Sequence, residues 1–114
     1  MISIYHNPRC SKSRQTLALL QERNIEPEII LYLDAPPSAT ELKTLLTQLG
    51  ISARALLRKG EEAYKTHQLK NPDLSDAELI AFMVQFPKLI ERPIVVAGNR
   101  AALGRPPEQV LDIL

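Results

Sequence analysis

The feature that most restricts the fold is the order of apolar runs in the first third of the chain. Ile2, Ile4 and Tyr5 have the pattern of a short buried strand, and Thr16, Leu17, Leu19 and Leu20 then recur at helical spacing as far as Glu22. After a break at Asn24 and Pro27, the run Glu28-Ile29-Ile30-Leu31-Tyr32-Leu33 reads as a second strand, apolar enough to be central in a sheet. Strand, helix and strand in succession imply a right-handed crossover, which makes the two strands parallel neighbours.

Pro36-Pro37 closes this unit. Ser38 and Glu41 then form a capping box, and Leu42, Leu45, Leu46 and Leu49 make one apolar stripe that ends at Gly50. Residues 52–70 are less periodic: Ala55, Leu56 and Leu57 suggest a helical turn, and Arg58-Lys59-Gly60 a loop that presents cations. A second capping box, Ser75 with Glu78, opens a helix carrying Leu79, Ile80, Phe82, Met83 and Phe86, which Pro87 stops. Helices therefore fill an insertion over roughly residues 38–91. Ile94-Val95-Val96-Ala97, the turn Gly98-Asn99 and Ala101-Ala102-Leu103 read as an antiparallel hairpin. Gly104-Arg105-Pro106-Pro107 then leads into a last helix with Val110, Leu111, Ile113 and Leu114 apolar. The expectation is one α/β domain over residues 1–114, with a mixed sheet of about four strands and the helical insertion between the second and third.

With 114 residues such a domain has a core that needs neither disulfide nor metal. The single cysteine excludes an internal bridge and fits a reducing compartment, and two histidines without CxxC or HxxxH spacing argue against a metal site. No apolar run reaches the length of a membrane span and the N-terminus has no signal-peptide pattern, so a soluble, cytoplasmic protein without a membrane partner is expected. Fourteen basic residues against thirteen acidic ones give a net charge of +1, which supplies no bulk attraction to nucleic acid.

The chemistry centres on the segment Tyr5-His6-Asn7-Pro8-Arg9-Cys10-Ser11-Lys12-Ser13-Arg14. Cys10 falls in the turn between the first strand and the first helix, where free backbone N–H groups and the helix dipole favour an anion. Arg9, Lys12 and Arg14 surround it, and no acidic residue precedes Glu22. A free thiol titrates near 8.5, so a downward shift of about two units, worth ~2.7 kcal/mol, makes it mostly thiolate at pH 7. A helix terminus contributes about 0.3–2 kcal/mol, which leaves a share for the cations or for a hydroxyl donor such as Ser13, one turn on.

Two arginines precede prolines, Arg92 before Pro93 and Arg105 before Pro106, and proline holds the preceding residue extended. With Arg58 they form a candidate set for an oxyanion, because the guanidinium fork matches oxygens of phosphate-like groups.

The segments HNPRCSKSRQTL, EIILYL, ISARALLRKGE, LIERPIVV and LGRPPEQVLDIL, in order over essentially the whole chain, resemble the glutaredoxin-dependent arsenate reductase family of thioredoxin-like fold. The resemblance implies that Cys10 is the nucleophile toward arsenate, that Arg58, Arg92 and Arg105 hold the oxyanion, and that His6 and Ser13 tune the thiolate. It implies no bound cofactor, glutathione as co-substrate and glutaredoxin as partner. It also implies a cis bond at Arg92-Pro93, since thioredoxin-like folds keep a cis-proline opposite the cysteine. Ser13 stands where dithiol oxidoreductases keep a second cysteine, so a resolving thiol has to come from outside. The family pattern has glycine and threonine directly after the cysteine; here they are Ser11 and Lys12, which with Arg14 are further residues facing the candidate site. Two alternatives stay open. One is a glutathione-dependent thiol oxidoreductase with another substrate; the other is an RNA-polymerase-binding regulatory module of the same fold.

Overall fold

The computed structural model describes residues 1–114. The chain divides into two compact units, one formed by Met1–Ala35 with Arg92–Leu114 and the other by Pro36–Glu91.

In the first unit, β1 (Ile2–Tyr5), α1 (Ser11–Glu22) and β2 (Glu28–Ile30) make the crossover, and β3 (Ile94–Ala97) with β4 (Arg100–Leu103) makes the hairpin. The sheet has four strands in the order β2-β1-β3-β4. β1 pairs parallel with β2 and antiparallel with β3, so that Ile4 faces Ile29 on one side and Val95 on the other. Ile4, Leu20, Val95 and Val110 are fully buried together, and Ile2, Leu17, Ile25, Ala102 and Ile113 pack against them. The hairpin turns through Gly98-Asn99, with φ +64° at Gly98, a conformation that glycine adopts without steric cost.

One expectation is corrected here. The second strand is neither central nor six residues long: β2 ends at Ile30 and lies at the edge. The chain leaves the sheet because the Leu31 carbonyl accepts from the N–H groups of Asp34 and Ala35, closing a turn. Of the apolar run, Tyr32 is buried, whereas Ile29, Leu31 and Leu33 are exposed. The last apolar segment is a helix, as expected, and is of the 3₁₀ type over Pro107–Ile113. At three residues per turn Val110 and Ile113 eclipse, and both reach the same core, which is the pairing a 3₁₀ helix provides.

The second unit is helical: α2 (Ala39–Leu49), α3 (Ala53–Leu56), α4 (Glu62–Thr66) and α5 (Asp76–Gln85), then a 3₁₀ turn at Pro87–Leu89. Both capping boxes are formed, Ser38 with Glu41 and Ser75 with Glu78, and Gly50 ends α2 in the left-handed conformation at φ +70°. Leu42, Leu56, Leu79, Met83 and Leu89 are buried. α4 has no buried residue, so no apolar stripe announces it in the sequence.

Candidate active site

Cys10 is the N-cap of α1, extended at φ −95° and ψ 123°, and it is buried. Its N–H donates to the Asn7 carbonyl at 3.0 Å and its carbonyl accepts from the Arg14 N–H at 3.0 Å. The loop therefore hands the chain from β1 to α1 with the sulfur at the helix mouth. Burial pushes the Cys10 thiol up, but this is outweighed by the Ser13 backbone N–H, the Arg92 charge, the Lys12 backbone N–H and the Arg105 charge, which hold it below the usual thiol range. The structure brings Arg92 and Arg105 to Cys10 from the far end of the sequence. The Arg105 Nη1 donates to the Arg92 carbonyl at 3.3 Å, tying the two together. Arg92-Pro93 is cis, as expected, and so is Arg105-Pro106.

The local cations act differently from expectation. Lys12 favours the thiolate through its backbone N–H, while its side chain is exposed. Arg14 donates to the Pro8 carbonyl at 2.8 Å, and its charge falls on His6. Arg9 is exposed, its N–H held by Asn7 Oδ1 at 3.0 Å in the turn that an Asn-Pro pair favours. Ser11 is exposed in the first turn of α1.

Ser13 also departs from its expected part. Its Oγ lies 2.6 Å from His6 Nδ1 and accepts from the Asn7 N–H at 3.0 Å. It reaches the sulfur through its backbone N–H. His6 is buried, and burial, with the Arg14 charge, holds it below its ordinary pKa and therefore neutral. Which of the two donates in the His6–Ser13 hydrogen bond follows the imidazole tautomer, and in either case Ser13 Oγ has a lone pair that accepts from the Asn7 N–H.

Arg58 belongs to the second unit. Its N–H donates to the Leu89 carbonyl at 2.8 Å beside the Leu57–Ile90 bridge. Its Nη1 lies 3.1 Å from Glu61 Oε2 and its Nε 3.8 Å from Glu91 Oε1, so its guanidinium is held between two carboxylates.

Two contributors escaped the sequence reading. Asn7 supplies the N–H that orients Ser13, and the Asn7-Pro8 pair is its only signal. Gly104 packs so tightly that a Cβ there would fall on Thr16 Oγ1 and come within 2.7 Å of Pro93 Cγ. A lone glycine beside Arg105-Pro106 was the clue to that close approach.

A four-stranded mixed sheet flanked by helices, with a cysteine capping the helix that follows β1, makes the fold thioredoxin-like. The chain belongs to the ArsC family, whose sequence pattern matches residues 5–113. It is 56% identical to the uncharacterized protein YfgD of Escherichia coli (strain K12), over 99% of this chain and 96% of that one. It is 51% identical to an arsenate reductase of Haemophilus influenzae, over 99% and 98% of the two chains. The structure of an arsenate reductase from Vibrio cholerae superimposes with a TM-score of 0.97 at 56% identity, covering 99% of this chain and 97% of that one.

Proposed function

We propose that this chain reduces arsenate to arsenite with glutathione and glutaredoxin as the source of electrons. The observation that carries the reading is the placement of Cys10 at a helix N-terminus, where the backbone N–H groups and the Arg92 and Arg105 charges favour its anion. An anionic nucleophile and an anionic substrate repel each other, and two guanidinium charges that act on the sulfur offset that repulsion and offer donors to the oxygens. Relatives named arsenate reductase at about half identity support the same substrate.

In this reading Cys10 Sγ attacks arsenic and displaces an oxygen as hydroxide, giving a thiolate–arsenic(V) ester. Arg92 and Arg105 carry the charge that develops on the remaining oxygens. Glutathione thiolate then attacks Cys10 Sγ. The sulfur–arsenic pair leaves with arsenic, which becomes arsenite, and Cys10 is left in a mixed disulfide with glutathione. The chain has no second cysteine, so glutaredoxin removes the glutathione. His6 and Ser13 position the turn that presents the sulfur. These electron donors belong to a cytoplasmic setting.

Arsenate-dependent NADPH consumption, coupled through glutathione, glutaredoxin and glutathione reductase, tests the proposal. The expected result is turnover that Cys10→Ser abolishes and that Arg92→Ala or Arg105→Ala lowers by about a hundredfold. Reduction of other disulfides without arsenate turnover would favour the thiol oxidoreductase of other specificity instead.

A further inference from the structure

The exposed apolar residues of this chain are not scattered. Ile29 is 47% exposed, Leu31 40% and Leu33 36%, and together with the two chain-end residues Met1 and Leu114 they make up its exposed large hydrophobics. Their position is defined by the ladder. β1 and β2 run parallel, Tyr5 opposite Ile30, and the His6 N–H donates to the Ile30 carbonyl at 2.9 Å. Leu31 and Leu33 therefore leave the sheet at the same end as the loop that carries His6 to Cys10. His6 is in turn bonded to Ser13 in the first turn of α1.

The two leucines are also held in place. Tyr32 between them is 1% exposed, and the Leu31 carbonyl accepts from both Asp34 and Ala35 at 2.9 Å. An anchored turn with its leucines turned outward loses little freedom on docking, which is what an interface anchor requires. The loop that leads to the sulfur and the first turns of the helix it opens carry charge of one sign: Arg9 and Lys12 are exposed, no ion pair is made by either, and no acidic side chain occurs before Glu22 at the far end of α1.

We infer that the Leu31–Leu33 turn, with Arg9 and Lys12, is the docking surface for a protein that carries the resolving thiol and an acidic rim around it. This rests on the proposed function, which requires an external thiol at Cys10. A free tripeptide thiol needs no apolar platform, whereas a protein does, and the unpaired cations select an acidic face by charge complementarity. In the step served, the partner's thiolate attacks the glutathione sulfur of the mixed disulfide. The Cys10–glutathione bond breaks, Cys10 leaves as thiolate, and the partner carries the glutathione away as its own mixed disulfide.

The test uses the full chain with Cys10 preloaded as the glutathione mixed disulfide, and reads its reduction by glutaredoxin and, separately, by free glutathione. Leu31→Ser with Leu33→Ser is expected to raise KM for glutaredoxin about tenfold, with kcat and the rate with free glutathione unchanged. Arg9→Glu is expected to lower kcat/KM for glutaredoxin and to flatten its fall with salt. Equal KM values for wild type and the double-serine variant would overturn the docking surface while leaving the proposed function intact. Failure of glutaredoxin to reduce even the wild-type mixed disulfide would count against the proposed function itself. A wild-type dimer in sedimentation that the double-serine change dissociates would assign the turn to a second copy of this chain and overturn the inference.

Discussion

Ser13 Oγ lies 2.6 Å from His6 Nδ1, and this contact determines what the serine does for the cysteine. With its oxygen also accepting from Asn7, the hydroxyl is committed to the loop, and Ser13 reaches the sulfur with its backbone N–H. The side chain fixes the turn and the main chain stabilises the anion.

Ser13→Ala therefore removes a fully buried hydroxyl and leaves the Asn7 N–H and His6 Nδ1 without it. The expected cost is about 1–3 kcal/mol of stability, measured as a lower urea midpoint with an unchanged m-value. Cys10 should keep much of its reactivity if the helix still forms, because the backbone N–H remains.

His6 gives the pH dependence of stability a definite sign. Burial first, and Arg14 second, hold its pKa below 6.5, so in the window beneath 6.5 the unfolded chain takes up a proton that the folded chain does not. Stability then falls as pH drops through that window, because the unfolded state binds more protons. Urea midpoints from about pH 7.5 to about pH 5 should fall in the wild type and fall less in His6→Gln.

The elements with a clear local cause were legible in the sequence. Both capping boxes, Gly50, the hairpin and the strand–turn–helix around Cys10 follow from residue types at fixed spacings. What was not legible depends on tertiary context. Nothing in Glu28–Leu33 tells an edge strand that ends in a turn from a central one, and Val110 with Ile113 fits either helix type. The charge effect expected from the local cations falls instead to Arg92 and Arg105, residues expected to hold the oxyanion, for the same reason. Arg9, Lys12 and Arg14 are near in sequence, but the strand pairing of β1 with β3 brings Arg92, and with it Arg105, to the sulfur.

Gly104 holds the Arg105 loop against Thr16 and Pro93. Gly104→Ala has no room for its methyl group and should cost about 1–3 kcal/mol, with Arg105 displaced. Thermal unfolding checks the first consequence, and a higher Cys10 pKa the second.

Ser11 and Lys12 are both exposed at the first turn of α1, where the resemblance to the arsenate reductase family implies glycine and threonine. If a side chain there hinders an oxyanion from meeting the backbone, Ser11→Gly with Lys12→Thr should raise arsenate-dependent kcat/KM about tenfold, equivalent to ~1.4 kcal/mol.

The backbone N–H groups of α1 together with Arg92 and Arg105 favour the Cys10 anion. The most direct measurement is the rate of Cys10 alkylation by iodoacetamide against pH, in the wild type, Arg92→Ala and Arg105→Ala. The wild-type midpoint should lie below about 8.5 and move upward in each variant. A wild-type midpoint at or above about 8.5, or one that neither arginine changes, would contradict it.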